Sequence, residues 1–313
     1  MIVLIYIVPA LALGLFLGSL FTKDNKNQTN TSDSVDNGID LSTAKLQTDP
    51  EKVRDFYNEY NDKFLEVYGE VIQAFRTHNV SKLLDYQIDV MELEEGLLCL
   101  DAGCGVCGPA SYFAKQKGVK VEAITISDVQ VEQAKELIQR EGVTDLVKVK
   151  KGDYHKLPDL YPNNYFDRVY FLESFGHSFD HAKVLAGAWE VLKPGGILYI
   201  KDLFRKITAK PAHQKRIDET IDTINEAYRY NIADLYRVLH EVRKLGFVIM
   251  ALKSVDIKLE DIENFTISKD FQELTGIEQI ENWNTYFFPI EFYELKCYKP
   301  VHDFSSGTDK NIL

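Results

Sequence analysis

The run Leu97-Leu98-Cys99-Leu100-Asp101-Ala102-Gly103-Cys104-Gly105-Val106-Cys107-Gly108-Pro109-Ala110 constrains the fold more than any other stretch of the chain. It reads as a short apolar strand ending in an acid, then a glycine-rich turn, then the start of a helix. Glycines at this spacing let the backbone turn sharply and let a ligand approach main-chain N–H groups with no Cβ in the way. The helix that follows directs its unpaired N–H groups at the turn, which suits a nucleotide-like cofactor. Many α/β folds place such a turn after a strand for packing alone, so the segments downstream decide.

Those segments alternate strand and helix. Residues 119–127 alternate in polarity and are rich in β-branched side chains, predicting a second strand. Ser127 stands where a helix is capped, ahead of helical periodicity over 129–140. Residues 147–151 predict a third strand ending at Gly152-Asp153, and 166–172 a fourth ending at Glu173. A helix over 182–192 runs into Lys193-Pro194-Gly195-Gly196, a stop and turn, before a fifth strand over 197–200 that closes at Lys201-Asp202. Helices follow over 211–228 and 234–245. Residues 247–257 and 291–298 then predict the antiparallel pair that ends such a sheet. The expected fold is α/β: a doubly wound, Rossmann-like sheet of seven strands, the last antiparallel, with helical lid elements.

Ahead of the sheet, Val53, Phe56, Tyr57, Tyr60, Phe64, Val67, Tyr68, Val71, Ile72 and Phe75 recur at three- and four-residue steps. This predicts an amphipathic helix or helix pair with one aromatic face, packed on the core or closing over a hydrophobic ligand. A second aromatic stretch, over 260–289, contains Phe265, Phe271, Trp283, Tyr286, Phe287 and Phe288. Residues 1–21 are apolar and uncharged, long enough to span a bilayer, and Lys23 and Lys26 follow them directly. That bias predicts a single N-terminal membrane anchor over 1–22 with the body of the protein cytosolic; a cleaved signal is the alternative. Residues 23–49 read as a disordered, solvated linker, 50–300 as the folded domain and 301–313 as a polar tail. The net charge of -12 argues against electrostatically driven nucleic-acid binding, and four scattered cysteines do not make a disulfide framework.

Ligands of open parallel sheets bind beyond the carboxyl ends of the strands. There the sequence places Asp101, Thr125 to Asp128, Asp153, Glu173 and Asp202, a set that favours a nucleoside-binding crevice. Asp101-Ala102-Gly103-Cys104-Gly105, Gly152-Asp153, Phe166-Asp167 and Leu192-Lys193-Pro194-Gly195-Gly196, in that order, resemble the motif set of class I S-adenosylmethionine-dependent methyltransferases. The loop from Asp101 to Pro109 resembles that of sterol side-chain and tocopherol methyltransferases. Ala123-Ile124-Thr125-Ile126-Ser127-Asp128-Val129-Gln130 resembles their second-strand exit, also found in cyclopropane fatty acid synthases. Leu172-Glu173-Ser174-Phe175-Gly176-His177 resembles the sterol-enzyme segment that holds Glu and His at the same spacing, and geranyl diphosphate methyltransferases are similar around Glu173.

The resemblance implies S-adenosyl-L-methionine as cofactor. Gly103 and Gly105 would admit its methionine moiety, with Asp101 near the ammonium. Thr125 and Gln130 would meet the ribose through hydroxyl and amide, Ile126 would also touch the cofactor, and Asp153 and Tyr154 would meet the adenine. Glu173 and His177 would face the acceptor as the catalytic pair; alternatively, Glu173 orders its loop and His177 caps or packs. The implied reaction is C-methylation of a hydrophobic isoprenoid- or sterol-like small molecule. N- or O-methylation of small metabolites, a cyclopropane synthase-like reaction, and a tethered cofactor-binding protein without turnover are the alternatives. Cys107 departs from the branch, which usually carries a glycine there, and gives C-x-x-C spacing with Cys104: two small apolar residues, or a redox or metal pair. His155 and His181 read as surface residues, and no metal site is expected.

Overall fold

The structure is a computed structural model, described here over residues 48–77, 79–254 and 289–301. The chain begins with α1 (Pro50–Tyr68) and α2 (Val80–Met91). It then alternates through β1 (Leu98–Ala102), α3 (Gly108–Lys117), β2 (Lys120–Thr125), α4 (Asp128–Glu141), β3 (Val147–Lys151) and the single turn α5 (Leu157–Leu160). It continues with β4 (Phe166–Leu172), α6 (His181–Val191), β5 (Leu192–Arg205), α7 (Pro211–Tyr228), α8 (Leu235–Lys244), β6 (Val248–Ser254) and β7 (Ile290–Tyr298). The seven strands form one sheet in the order β3-β2-β1-β4-β5-β7-β6. β1 to β5 pair in parallel, and β7 runs antiparallel to both β5 and β6.

Local chemistry accounts for the element ends. The Asp49 carboxylate caps α1 by accepting from Lys52 N at 2.9 Å, with Pro50 opening the helix. Ser127 caps α4 as expected, accepting from Gln130 N at 3.1 Å. On one face of the sheet Leu100, Val169, Phe171 and Leu198 pack against Val184, Leu185 and Ala188 of α6 and Val238 and Val242 of α8. On the other, Cys99, Val121, Ala123 and Tyr170 pack against Ile88 and Met91 of α2, Phe113 of α3 and Ile138 of α4. A third apolar cluster joins Phe56, Phe64 and Tyr68 of α1 to Ile217, Ile221 and Tyr228 of α7 and Leu203 of β5.

Two expectations need correction. Lys193-Pro194-Gly195-Gly196 is not a stop: β5 starts at Leu192, which pairs with Phe166, and the Pro-Gly residues form an irregularity before Ile197 pairs on. Gly195 takes φ of 86° there and its N–H donates to Lys299 O at 2.8 Å, so the ladder absorbs the turn signal. Nor does β5 close at Lys201-Asp202; antiparallel pairing with β7 carries it to Arg205. The helix α2 and the turn α5 are additions that the periodicity did not predict. Among the described residues no helix is long and apolar enough to cross a membrane. The anchor over 1–22, most of the linker, the aromatic stretch over 260–289 except Pro289, and all but the start of the tail lie outside the described residues.

Candidate active site

The carboxyl ends of β1, β2, β3 and β4 open on one cavity. Asp101, Gly103, Gly105, Thr125, Ile126, Gln130, Asp153, Tyr154, Glu173 and His177 all line it. Residues from four strand exits and the glycine turn therefore meet at the site that an open parallel sheet provides.

The glycine turn is built for close approach. Gly103 has φ of 94°, and a Cβ there would lie 2.8 Å from Ser174 Oγ. The Ser174 hydroxyl meanwhile donates to Ala102 O at 2.6 Å, so it cannot easily move away. Asp101 is 2% exposed and its Oδ2 has no partner at hydrogen-bond distance; burial pushes its carboxyl up to about 8, against the smaller, lowering influence of the Tyr170 phenol. At the next exit the Thr125 hydroxyl donates to Gln130 Oε1 at 2.6 Å, which turns the Gln130 amide nitrogen away from that bond and leaves it buried and unpartnered. Two buried polar atoms with nothing to bond are costly unless a ligand supplies the partner. An ammonium would answer the Asp101 oxygen and a hydroxyl the Gln130 nitrogen. The turn and these two groups fit the cofactor that the sequence implies.

At the third exit, Asp153 Oδ1 bonds His155 N at 2.9 Å and His155 Nδ1 at 2.6 Å. Burial raises the Asp153 carboxyl, but these bonds outweigh it and hold it below the usual carboxylate range. His155 is not a surface residue as expected: it is buried, with Nε2 at 2.9 Å from Ser178 Oγ, and it orients Asp153. His181 is also largely enclosed, its Nε2 unpartnered and its imidazole depressed to about 4 by burial. Tyr154 donates to Ser174 O at 3.1 Å and packs edge-on against Phe171.

The fourth exit carries Glu173, at φ of 59° in the left-handed region. Its Oε2 accepts from Ala74 N at 2.6 Å, its Oε1 from Phe75 N at 3.0 Å, and Lys201 Nζ is ion-paired with Oε1. Lys201 was legible only as a strand end, yet its side chain is 1% exposed. His177 lies nearby with Nε2 at 2.8 Å from the Tyr57 hydroxyl and Nδ1 at 3.1 Å from Arg229 O. A carbonyl can only accept, so Nδ1 carries the proton and Nε2 accepts from Tyr57. Burial depresses the His177 imidazole to about 4, which keeps it neutral, while burial pushes the Tyr57 phenol above its ordinary value. The His177 ring also stacks on Tyr230 at 4.0 Å between centroids. Tyr57 belongs to the aromatic face predicted for α1, but nothing in the periodicity marked it as a partner of His177.

Cys104 and Cys107 are free, buried thiols; Cys107 packs in the α2–α3 core cluster while its backbone takes φ of 66°. Among the described residues no group of His, Cys, Asp and Glu could hold a metal ion.

Residues 100–200 match the family model described as "Methyltransferase domain". The chain is 35% identical over 230 residues to a sterol 24-C-methyltransferase of Pneumocystis carinii (strain B80), covering 67% of this chain and 59% of that protein. It is 34% identical over 137 residues to the S-adenosyl-L-methionine-dependent Diels-Alderase iccD of Talaromyces variabilis, covering 43% of this chain and 46% of that one. The chain thus spans less than two thirds of either relative's length. The fold is that of geranyl diphosphate C-methyltransferase from Streptomyces coelicolor A3(2), with a TM-score of 0.64 at 13% identity, covering 82% of this chain and 98% of the other.

Proposed function

We propose that this chain, which carries a class I S-adenosylmethionine-dependent methyltransferase domain, methylates carbon in a hydrophobic small molecule of isoprenoid or sterol type. The observation that carries the reading is the part of the cavity lining left over from the cofactor residues. It includes Val53, Tyr57, Ile72 and Leu172 beside the polar Gln73, Ser174 and His177, and the acid among them, Glu173, is ion-paired with Lys201. An apolar acceptor fits such a lining, and an electron-poor carbon centre would meet aromatic faces. The sterol 24-C-methyltransferase relative supports the same class of acceptor.

The cofactor supplies an activated methyl group on a sulfonium centre. The chain's contribution is alignment and exclusion of water. Gly103 and Asp101 would hold the amino-acid end, Thr125, Ile126 and Gln130 the ribose, and Asp153 and Tyr154 the base. His177, neutral, has Nδ1 on Arg229 O and Nε2 accepting from Tyr57, so a proton leaving the acceptor would be taken by the Tyr57 oxygen as the phenol passes its own to Nε2. Both oxygens of Glu173 are occupied, which assigns it to holding the chain around the acceptor rather than to free base chemistry. The apolar run at residues 1–21 would keep such an enzyme where lipophilic acceptors dissolve.

Purified protein incubated with methyl-labelled cofactor and a panel of prenyl, sterol, quinone and amine acceptors tests the proposal. Label in prenyl or sterol products is expected; label only in polar amines overturns it. The Diels-Alderase relative favours a second reading, in which the cofactor site is kept and a ring closure replaces methyl transfer. Formation of S-adenosylhomocysteine in step with product separates the two, because a ring closure consumes no cofactor.

A further inference from the structure

The connection between α1 and α2 has neither helix nor strand over residues 70–77. Within it the described main chain supplies one hydrogen bond of its own, Gln73 N to Val71 O at 2.9 Å. Side chains hold it: from within the segment Arg76 Nη1 donates to Tyr68 O at 2.6 Å and to Val71 O at 3.1 Å, and the sheet supplies the bonds to residues 73–75. Glu173 accepts from the Ala74 and Phe75 amides, and Lys201 Nζ donates to Phe75 O at 2.7 Å and to Gln73 Oε1 at 3.0 Å. With the ion pair to Glu173, the three N–H donors of the Lys201 ammonium are all used. Gln73 is tied in turn to α2, its Oε1 accepting from Gln87 Nε2 at 2.7 Å.

The same segment touches the cofactor turn. The Glu70 carbonyl crosses Gly108 where a Cβ would overlap it, and Ile72 Cδ1 lies 3.4 Å from where a Cβ on Gly105 would stand. Ile72 and Gln73 line the cavity between these two anchorages. One stretch of irregular chain is thus seated on the glycine turn at its start and gripped by two buried charges at its middle.

We propose that Lys201 is a positioning residue for the acceptor side of the site: with Glu173 it clasps residues 73–75 over the cavity and so fixes Ile72 and Gln73 in its lining. The inference rests on the reading of the cavity as a cofactor and acceptor site. Every bond the pair makes to the segment goes to main chain or to Gln73, so the clasp fixes the backbone there without help from the side chains of Ala74 and Phe75. Glu173, in the left-handed region at the end of β4, is held in a conformation that its side-chain bonds help to maintain.

Hydrogen exchange read residue by residue on the full chain, with and without S-adenosylhomocysteine, tests the clasp. In Lys201→Met the Ala74 and Phe75 amides are expected to exchange at least tenfold faster than in the unaltered protein, while β1 and β4 amides keep their protection. Lys201→Arg, which keeps charge and donors, is expected to restore most of that protection, which a loss of general stability would not predict. If Lys201→Met leaves a buried unpaired carboxylate that prevents folding, Glu173→Gln with Lys201→Met removes both charges and gives the same local reading. Unchanged protection of Ala74 and Phe75 in whichever of these variants folds overturns the proposal. Binding of S-adenosylhomocysteine, measured by calorimetry on the same samples, is a separate result: its absence in the unaltered protein would overturn the cofactor reading, while the exchange without ligand would still decide the clasp.

Discussion

Asp101 brings the cofactor turn down to a single proton. Burial holds its carboxyl up to about 8, so at pH 7 it is largely protonated until a cation arrives. An ammonium at its unpartnered Oδ2 would favour the ionised form, and binding would then release a proton. Calorimetry of S-adenosylhomocysteine binding at pH 7, in two buffers of different ionisation enthalpy, is expected to show release of a sizeable fraction of one proton, absent in Asp101→Asn. Gly103→Ala would place a methyl group against Ser174 at a φ that costs about 1–2 kcal/mol for a residue with a Cβ. Its affinity for the same ligand is expected to fall more than tenfold; unaltered binding would sink the cofactor assignment. Cys107 inverts a familiar order. Since its φ of 66° suits glycine, Cys107→Gly is expected to be more stable than Cys107→Ala by about 1 kcal/mol in denaturant unfolding. The reverse order would show that packing of the Cβ within the cluster that holds Leu84 and Ile88 outweighs the backbone.

At the scale of elements, the helix α1 is fastened by polar contacts of Tyr57 with His177, Asn58 with Ser127 and Asn61 with Gln133. Tyr57→Phe keeps the ring but leaves Nε2 of a buried, neutral imidazole with no donor, at a cost of about 1–3 kcal/mol. A lowered thermal midpoint is expected, with affinity for S-adenosylhomocysteine changed less than threefold, because the phenol belongs to the acceptor side. The strands β1 to β4 and the capped helices were legible because β-branched runs, Ser127 and the glycine turn act locally. What escaped detection was set by distance. Lys193-Pro194-Gly195-Gly196 looks like a stop in any window, and only pairing of Leu192 with Phe166 and of β5 with β7 draws it into a strand. Glu173 and Lys201 could be seen as polar strand ends. That they share Phe75, some hundred residues earlier in the chain, could not. The ten candidate residues converge because strand exits in a parallel sheet must converge; the roles of Tyr57, Gln73 and His155 depend on contacts that no spacing encodes.

Over the whole molecule, the shifted groups give stability a definite pH profile. Asp101 and Asp202 are raised to about 8 and about 7 by burial, so the folded state holds their protons where the unfolded chain has lost them. Stability from them falls as pH rises from about 4 through these values. His177 and His181 are lowered to about 4 by burial, so the unfolded chain gains their protons first and stability falls as pH drops from about 6.5 to about 4. The two effects oppose each other below pH 6.5, whereas above it only the carboxyls act. Thermal midpoints are therefore expected to decline between pH 6.5 and 8 and to vary less between 4.5 and 6.5, with Asp101→Asn flattening the upper limb. A midpoint that rises through pH 8 would contradict the assignment of these buried acids. The crossing of Glu70 over Gly108 has a further consequence for anyone who would move this site to another scaffold. The transplantable unit is not the contiguous run from β1 to β4. It has to include residues 70–75, because one glycine of the loop makes room for this chain itself, and a graft without that segment would leave an open slot where the native protein has a wall.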